Sequence, residues 1–160
     1  MAQKKTLAMK LLEGKKVPYE ALDYSPALRD AVEVAGAIDM PPAQVFKTLV
    51  VVRAQPGKPL LAMVPANQQL DLKKLAKASG EKKLKMASHD EAERLTGLQV
   101  GGISALALVN RGFDVYLDLS AEAYDEIVVS GGERGQQIKL GVKSLTGVTG
   151  ARTADFASER

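Results

Sequence analysis

The chain has no cysteine, no tryptophan and a single histidine. Without cysteine there is no disulfide frame and no thiolate nucleophile. The lone histidine, His89, falls inside Ser88-His89-Asp90-Glu91, a capping box that opens a helix, so it reads as an exposed helix start and not as a general base. With no second histidine and no cysteine, neither a metal site nor a Ser–His or Cys–His dyad is expected, and no cofactor is expected. The acidic residues are scattered, with no spacing that suggests paired carboxylates. Aromatics are scarce: three phenylalanines and four tyrosines do not furnish a stacking platform for several bases. No apolar run is long enough to span a bilayer, and the first residues lack a signal-peptide pattern. The expectation is no membrane partner and a cytoplasmic location.

What is present suits one domain over residues 1–160, with 46% hydrophobic residues to build a core. The net charge of +3 is a mild basic excess, compatible with a nucleic-acid partner. The stretch Val45 to Val52 is apolar apart from Lys47 and Thr48, and reads as a central strand buried on both faces. Pro41 and Pro42 stop a helix before it, and Pro56-Gly57 turns the chain into a second apolar strand, Leu60 to Val64. A helix is expected over Lys5 to Glu13, a strand over Val17 to Tyr24, and a helix from Ser25-Pro26 to about Ala35, with Ser25 as N-cap. Asp71 caps a helix from Leu72 to Ser79, and Leu84 to Ala87 is a short strand. A helix from the capping box to Thr96 follows. Further strands are read at Phe113 to Leu117, Ile127 to Ser130, Ile138 to Leu140 and Arg152 to Phe156, with a short helix at Val142 to Leu145. Interspersed helices and strands with tight hairpins give a mixed sheet with helices packed around it, an α+β or α/β fold.

Three features could carry chemistry. Lys47 is a cation near the start of a buried strand, and it either snorkels outward or sits in a wet cleft. Two glycine turns, Gly101-Gly102-Ile103-Ser104 and Ser130-Gly131-Gly132, can aim backbone N–H groups at a ligand oxygen, or serve only as tight turns. Lys73, Lys74, Lys77, Lys82, Lys83 and Lys85 form a basic stretch that either meets phosphates or is a solvated face.

Four motifs in order carry a resemblance: Gln44-Val45-Phe46-Lys47-Thr48-Leu49-Val50, Gln69 to Lys77, Thr96-Gly97 through Gly101-Gly102-Ile103-Ser104, and Val129-Ser130-Gly131-Gly132-Glu133-Arg134-Gly135. With these the chain resembles the YbaK family of aminoacyl-tRNA deacylases, related to the editing domain of bacterial prolyl-tRNA synthetase. The resemblance implies an α+β fold, a mixed and barrel-like β-sheet surrounded by helices. It implies a trans-acting deacylase that clears mischarged tRNA, most typically cysteine from proline tRNA, by attack of the substrate's own thiol. It implies Lys47 as the catalytic lysine, and Tyr24, Gly101, Gly102, Ser104, Ser130, Gly131, Gly132 and Gln137 as substrate-binding residues. Mischarged tRNA is the implied partner, with prolyl-tRNA synthetase as a second candidate. Three positions depart from the family pattern: Ala105 stands for a proline, Ala107 for a glycine and Gln137 for an aspartate. They keep two alternatives open, a deacylase for alanine or another small residue and a non-catalytic module that binds tRNA or the synthetase.

Overall fold

Alternation in the strand Leu60–Pro65 (β3) sends Leu61 and Met63 to one side and Leu60, Ala62 and Val64 to the other, and all are fully buried. This strand lies at the centre of a five-stranded sheet in the computed structural model, which describes residues 5–28 and 30–159. The preceding strand, Phe46–Arg53 (β2), pairs antiparallel with β3, Lys47 opposite Val64. Asp114–Asp118 (β6) and Arg152–Ala154 (β9) extend the sheet in parallel on the far side, and Leu84–Met86 (β5) pairs with Val51 to Arg53 of β2. The expectation that Val45 to Val52 is the central, doubly buried strand is therefore corrected. That place belongs to β3, and Lys47, Thr48 and Leu49 of β2 are only half-buried.

A second sheet has three strands in the order Tyr19–Asp23 (β1), Gln136–Gly141 (β8) and Glu126–Ser130 (β7), all antiparallel. Its inner residues Ile127, Val129, Ile138 and Leu140 share one core with Phe46, Val50, Leu61, Met63 and Leu117 of the large sheet. The helix Leu7–Gly14 (α1), capped by Thr6, closes that core with Met9 and Leu12. The opposite face of the large sheet is covered by Leu75 of the helix Leu72–Ser79 (α3) and by Phe156. A third, two-stranded sheet pairs Gln68–Leu70 (β4) with Ala157–Glu159 (β10), neither of which the sequence pattern revealed. The sheets touch through one parallel bridge, Val45 to Val128, and no ladder closes into a barrel among the described residues. The fold is mixed α+β.

The helix Ala31–Ala37 (α2) corrects a second expectation. It starts after Asp30, not at Ser25. Ser25-Pro26 makes a turn instead, in which the Leu28 N–H donates to the Ser25 carbonyl at 3.0 Å. Proline sets the second position of such a turn as readily as the first turn of a helix. The helix His89–Thr96 (α4) has the capping box read from the sequence, with both Ser88–Glu91 hydrogen bonds made. The helix Val142–Thr149 (α5) runs four residues past the expected Leu145.

Asp118, at the end of β6, joins the C-terminal segment to the sheet. Its Oδ1 accepts the N–H groups of Phe156 and Ala157 at 2.9 and 2.8 Å, and its Oδ2 accepts from the Ser120 hydroxyl and N–H. Burial pushes this carboxyl up, but the bonds from Ser120, Phe156 and Ala157 together outweigh it and hold the pKa below the ordinary 3.8. Folding therefore favours the carboxylate. That stabilisation is complete above the unfolded pKa and is lost as pH falls through the lower folded value. Asp118→Asn is expected to cost about 1–2 kcal/mol at pH 7. In thermal melts the gap to wild type should narrow below the ordinary 3.8. A gap that stays constant through acid would mean that shape and not charge is what matters at Asp118.

Candidate functional site

Two residues beyond the Val45–Val128 bridge, the strands β2 and β7 carry Lys47 and Ser130. The parallel pairing stops at the bridge, and a cleft of about 240 Å³ opens there, lined by both residues. Gln137 of β8 and Tyr24, just past β1, complete the side formed by the small sheet. The Tyr24 N–H donates to the Gly135 carbonyl at 3.0 Å, which fixes the chain as it leaves β1. Gly101 lines the cleft from the first glycine turn. Lys47, Tyr24, Gly101, Ser130 and Gln137, chosen from sequence, thus meet in one place. Gly102, Ser104, Gly131 and Gly132 are not among the described lining residues.

Those four have other work in the fold. A Cβ on Gly102 would lie 3.0 Å from backbone atoms of Glu133 and Arg134, so the two glycine turns are stacked on each other. A Cβ on Gly131 would lie 3.0 Å from the Gln136 carbonyl oxygen. The N–H groups of Gly102, Gly131 and Gly132 are donated within the chain, to the Gln99 carbonyl, the Gln136 carbonyl and the Ser130 hydroxyl oxygen. Ser104 is buried, and its hydroxyl oxygen accepts the Ala107 N–H at 3.2 Å. Arg134 ties the turns together, since its Nε donates to the Val100 carbonyl at 2.8 Å. The glycines serve close approach first.

Lys47 is half-buried, and its Nζ donates to the Ala66 carbonyl at 3.4 Å, a long bond. Thr48, its neighbour, has a buried hydroxyl with no partner among the described residues, at the cleft wall. A buried hydroxyl left unpaired is costly. The sequence signal for Thr48 was its place as the second polar residue in an apolar run. Asp30 also lines the cleft and was not anticipated. The loop before α2 brings it there, and no local pattern announces that. Leu28, Ala31, Val34 and Ile103 belong to the apolar part of the wall, together with residues of β2 such as Phe46 and Leu49. Among the described lining residues there is neither histidine nor cysteine, and the charges are one ammonium and one carboxylate. Such an arrangement can position a ligand and place charge against it.

The aminoacyl-tRNA editing domain model matches residues 25–148 of this chain. A protein of Enterococcus faecalis that carries the provisional name Cys-tRNA(Pro)/Cys-tRNA(Cys) deacylase EbsC is 39% identical over 159 residues, covering 98% of this chain and 96% of that one. The proline–tRNA ligase of Geobacter metallireducens is 30% identical over 115 residues, and the match spans 72% of this chain but 19% of the ligase. A crystal structure provisionally assigned as a trans-editing enzyme for prolyl tRNA synthetase superposes with a TM-score of 0.82 at 26% identity, covering 98% of this chain and 99% of that one. The chain belongs to the aminoacyl-tRNA editing domain family.

Proposed function

We propose that this chain removes a wrongly attached amino acid from tRNA in trans, with cysteine on proline tRNA as the preferred substrate. The observation that carries the reading is the meeting of Lys47, Tyr24, Ser130 and Gln137 in one cleft between the sheets. Lys47 offsets the negative charge of the acceptor end and positions it, and Tyr24 helps wall the amino-acid pocket. In the cysteine reaction the substrate's sulfur attacks its own ester carbon. The bond to the ribose oxygen breaks, and that oxygen takes up the thiol proton. The wall offers no thiol or imidazole of its own among the described residues, which fits such a substrate-assisted step. The whole chain acts as one editing domain in the cytoplasm, with prolyl-tRNA synthetase as a candidate partner. The barrel-like rolling of the sheet is part of this proposal, and the isolated Val45–Val128 bridge between the two sheets supports it.

A second reading is favoured by Gln137, which stands in the wall without a charge. It assigns the cleft to alanine or another small residue, with water as the attacking group. Deacylation of cysteinyl and alanyl proline tRNA, measured side by side, decides. Cysteinyl tRNA should be cleared faster. Faster clearance of alanyl tRNA would move the specificity, and binding without any release would make the chain a non-catalytic module.

The lysine stretch supplies a separate expectation. All six lysines are exposed, on α3, on β5 and in the turn between them. The acidic residues nearby are engaged elsewhere: Asp71 caps α3 through the Lys74 N–H, and Glu81 pairs with Arg53 at 2.6 Å. Lys74 itself reaches Asp155 at 3.7 Å. If the stretch meets phosphates, tRNA affinity should fall with salt. Changing all six to glutamine should then flatten the log–log slope by about 0.7–0.9 for each phosphate that is no longer neutralised. An unchanged slope would mark a solvated face.

A further inference from the structure

Asp30 occupies the N-cap position of α2, yet its side chain makes no capping hydrogen bond. An aspartate there ordinarily accepts an N–H two or three residues on. Among the described residues this carboxylate has neither a hydrogen-bond nor an ion-pair partner, and it is half-buried at the cleft wall. Asp30 and Lys47 are the two charged side chains among the described lining residues, and their signs are opposite. Gln137 adds polarity without charge. A wall of that kind matches a ligand with an anion and a cation close together. The end of a charged tRNA has both, a phosphate and the free α-ammonium of the esterified amino acid. Resting on the editing reading above, we propose that Asp30 receives this α-ammonium and so selects aminoacyl ends with a free amine over N-acylated ones.

The chemistry is direct. An α-amino group titrates near 7.7–8.0, and a carboxylate beside it favours the charged form. An N-acylated end has no cation to offer and brings an extra carbonyl oxygen towards a carboxylate. An ammonium–carboxylate hydrogen bond is among the stronger polar contacts a protein makes. Asp30 makes no capping hydrogen bond that the change could remove, so Asp30→Asn removes the charge without taking a cap from α2.

The test measures binding of 3′-deoxy-3′-(cysteinylamino)adenosine, whose amide link resists hydrolysis, beside its N-acetyl counterpart. Wild type and Asp30→Asn are compared as full chains, with melting temperatures taken on both. Wild type should bind the free-amine compound roughly tenfold or more tighter than the N-acetyl one. Asp30→Asn should bring that ratio close to one with its melting temperature kept. A preference that persists in Asp30→Asn overturns the proposal, and so does equal binding or no binding of the two compounds by wild type. Slower turnover in Asp30→Asn with an unaltered ratio also overturns it, because Asp30 would then act on water and not on the amine. Wild-type deacylation separates the two readings. Turnover of mischarged tRNA without amine preference leaves editing standing and removes Asp30. An amine preference without any turnover keeps the Asp30 site and removes editing.

Discussion

Lys47→Ala should lose deacylation by at least about a hundredfold while the protein stays folded. The argument begins with the cost of the residue. An ammonium beside Phe46 and Val50 in an otherwise apolar strand gives up solvation, and the sheet would form as well with a neutral side chain there. Its bond to the Ala66 carbonyl, at 3.4 Å, is long, and losing that bond costs about 1 kcal/mol. A lysine retained for a buried ion pair would behave otherwise, since removing one partner strands the other at roughly 3–5 kcal/mol. Melting temperature beside deacylation rate therefore separates the roles. Lys47→Arg sharpens the comparison. It keeps the charge but replaces a compact ammonium by a planar fork, in a cleft of about 240 Å³. Arginine should fail as well. A folded alanine variant that deacylates at the wild-type rate would remove Lys47 from the mechanism.

The fold was legible where local chemistry and tertiary demand agree. The Ser88 capping box, the Asp71 cap with Gly80 closing α3, and the Pro56-Gly57 hairpin all sit where the pattern puts them. Ser25-Pro26 misled because a turn and a helix start ask for the same two residues. The strands β4 and β10 left no pattern. They are three residues long and half-exposed, and they are held by each other and by the Asp118 carboxylate near the start of β10. The short, uniformly apolar run at β3 hid the centre of the sheet for another reason. A fully buried strand carries no alternation to set it above its neighbour, and β2 was the longer run.

The site divides the same way. Lys47 and Thr48 stand out as polar residues in an apolar strand, and the glycine turns stand out by composition. Asp30 does not stand out, because its position depends on how the loop from β1 to α2 lies against β2, which is a property of the whole fold. The turns were read for their N–H groups, and three of those N–H groups turn out to be spent inside the chain.

Gly102→Ala distinguishes the two roles of the first glycine turn, and it is expected to destabilise the protein by about 3 kcal/mol and to cost most of the activity. Alanine keeps the backbone N–H. A glycine wanted only for its N–H would tolerate the change. What alanine adds is a methyl group 3.0 Å from backbone atoms of Glu133 and Arg134, and backbone cannot swing aside as a flexible side chain can. Strain is not the source, since Gly102, unlike Gly101 at φ +96°, is not in the left-handed region. The two turns must part for the methyl to fit. Gly101 then moves away from the cleft, and the Arg134 bond to the Val100 carbonyl lengthens. Gly147→Ala is the control, for its added Cβ meets nothing within 4 Å on α5, and replacing a helical glycine there should raise stability by about 0.5–1 kcal/mol. Denaturant midpoints and deacylation rates for both variants carry the comparison. A Gly102→Ala protein as stable as wild type would show that the stacked turns are not what this glycine serves.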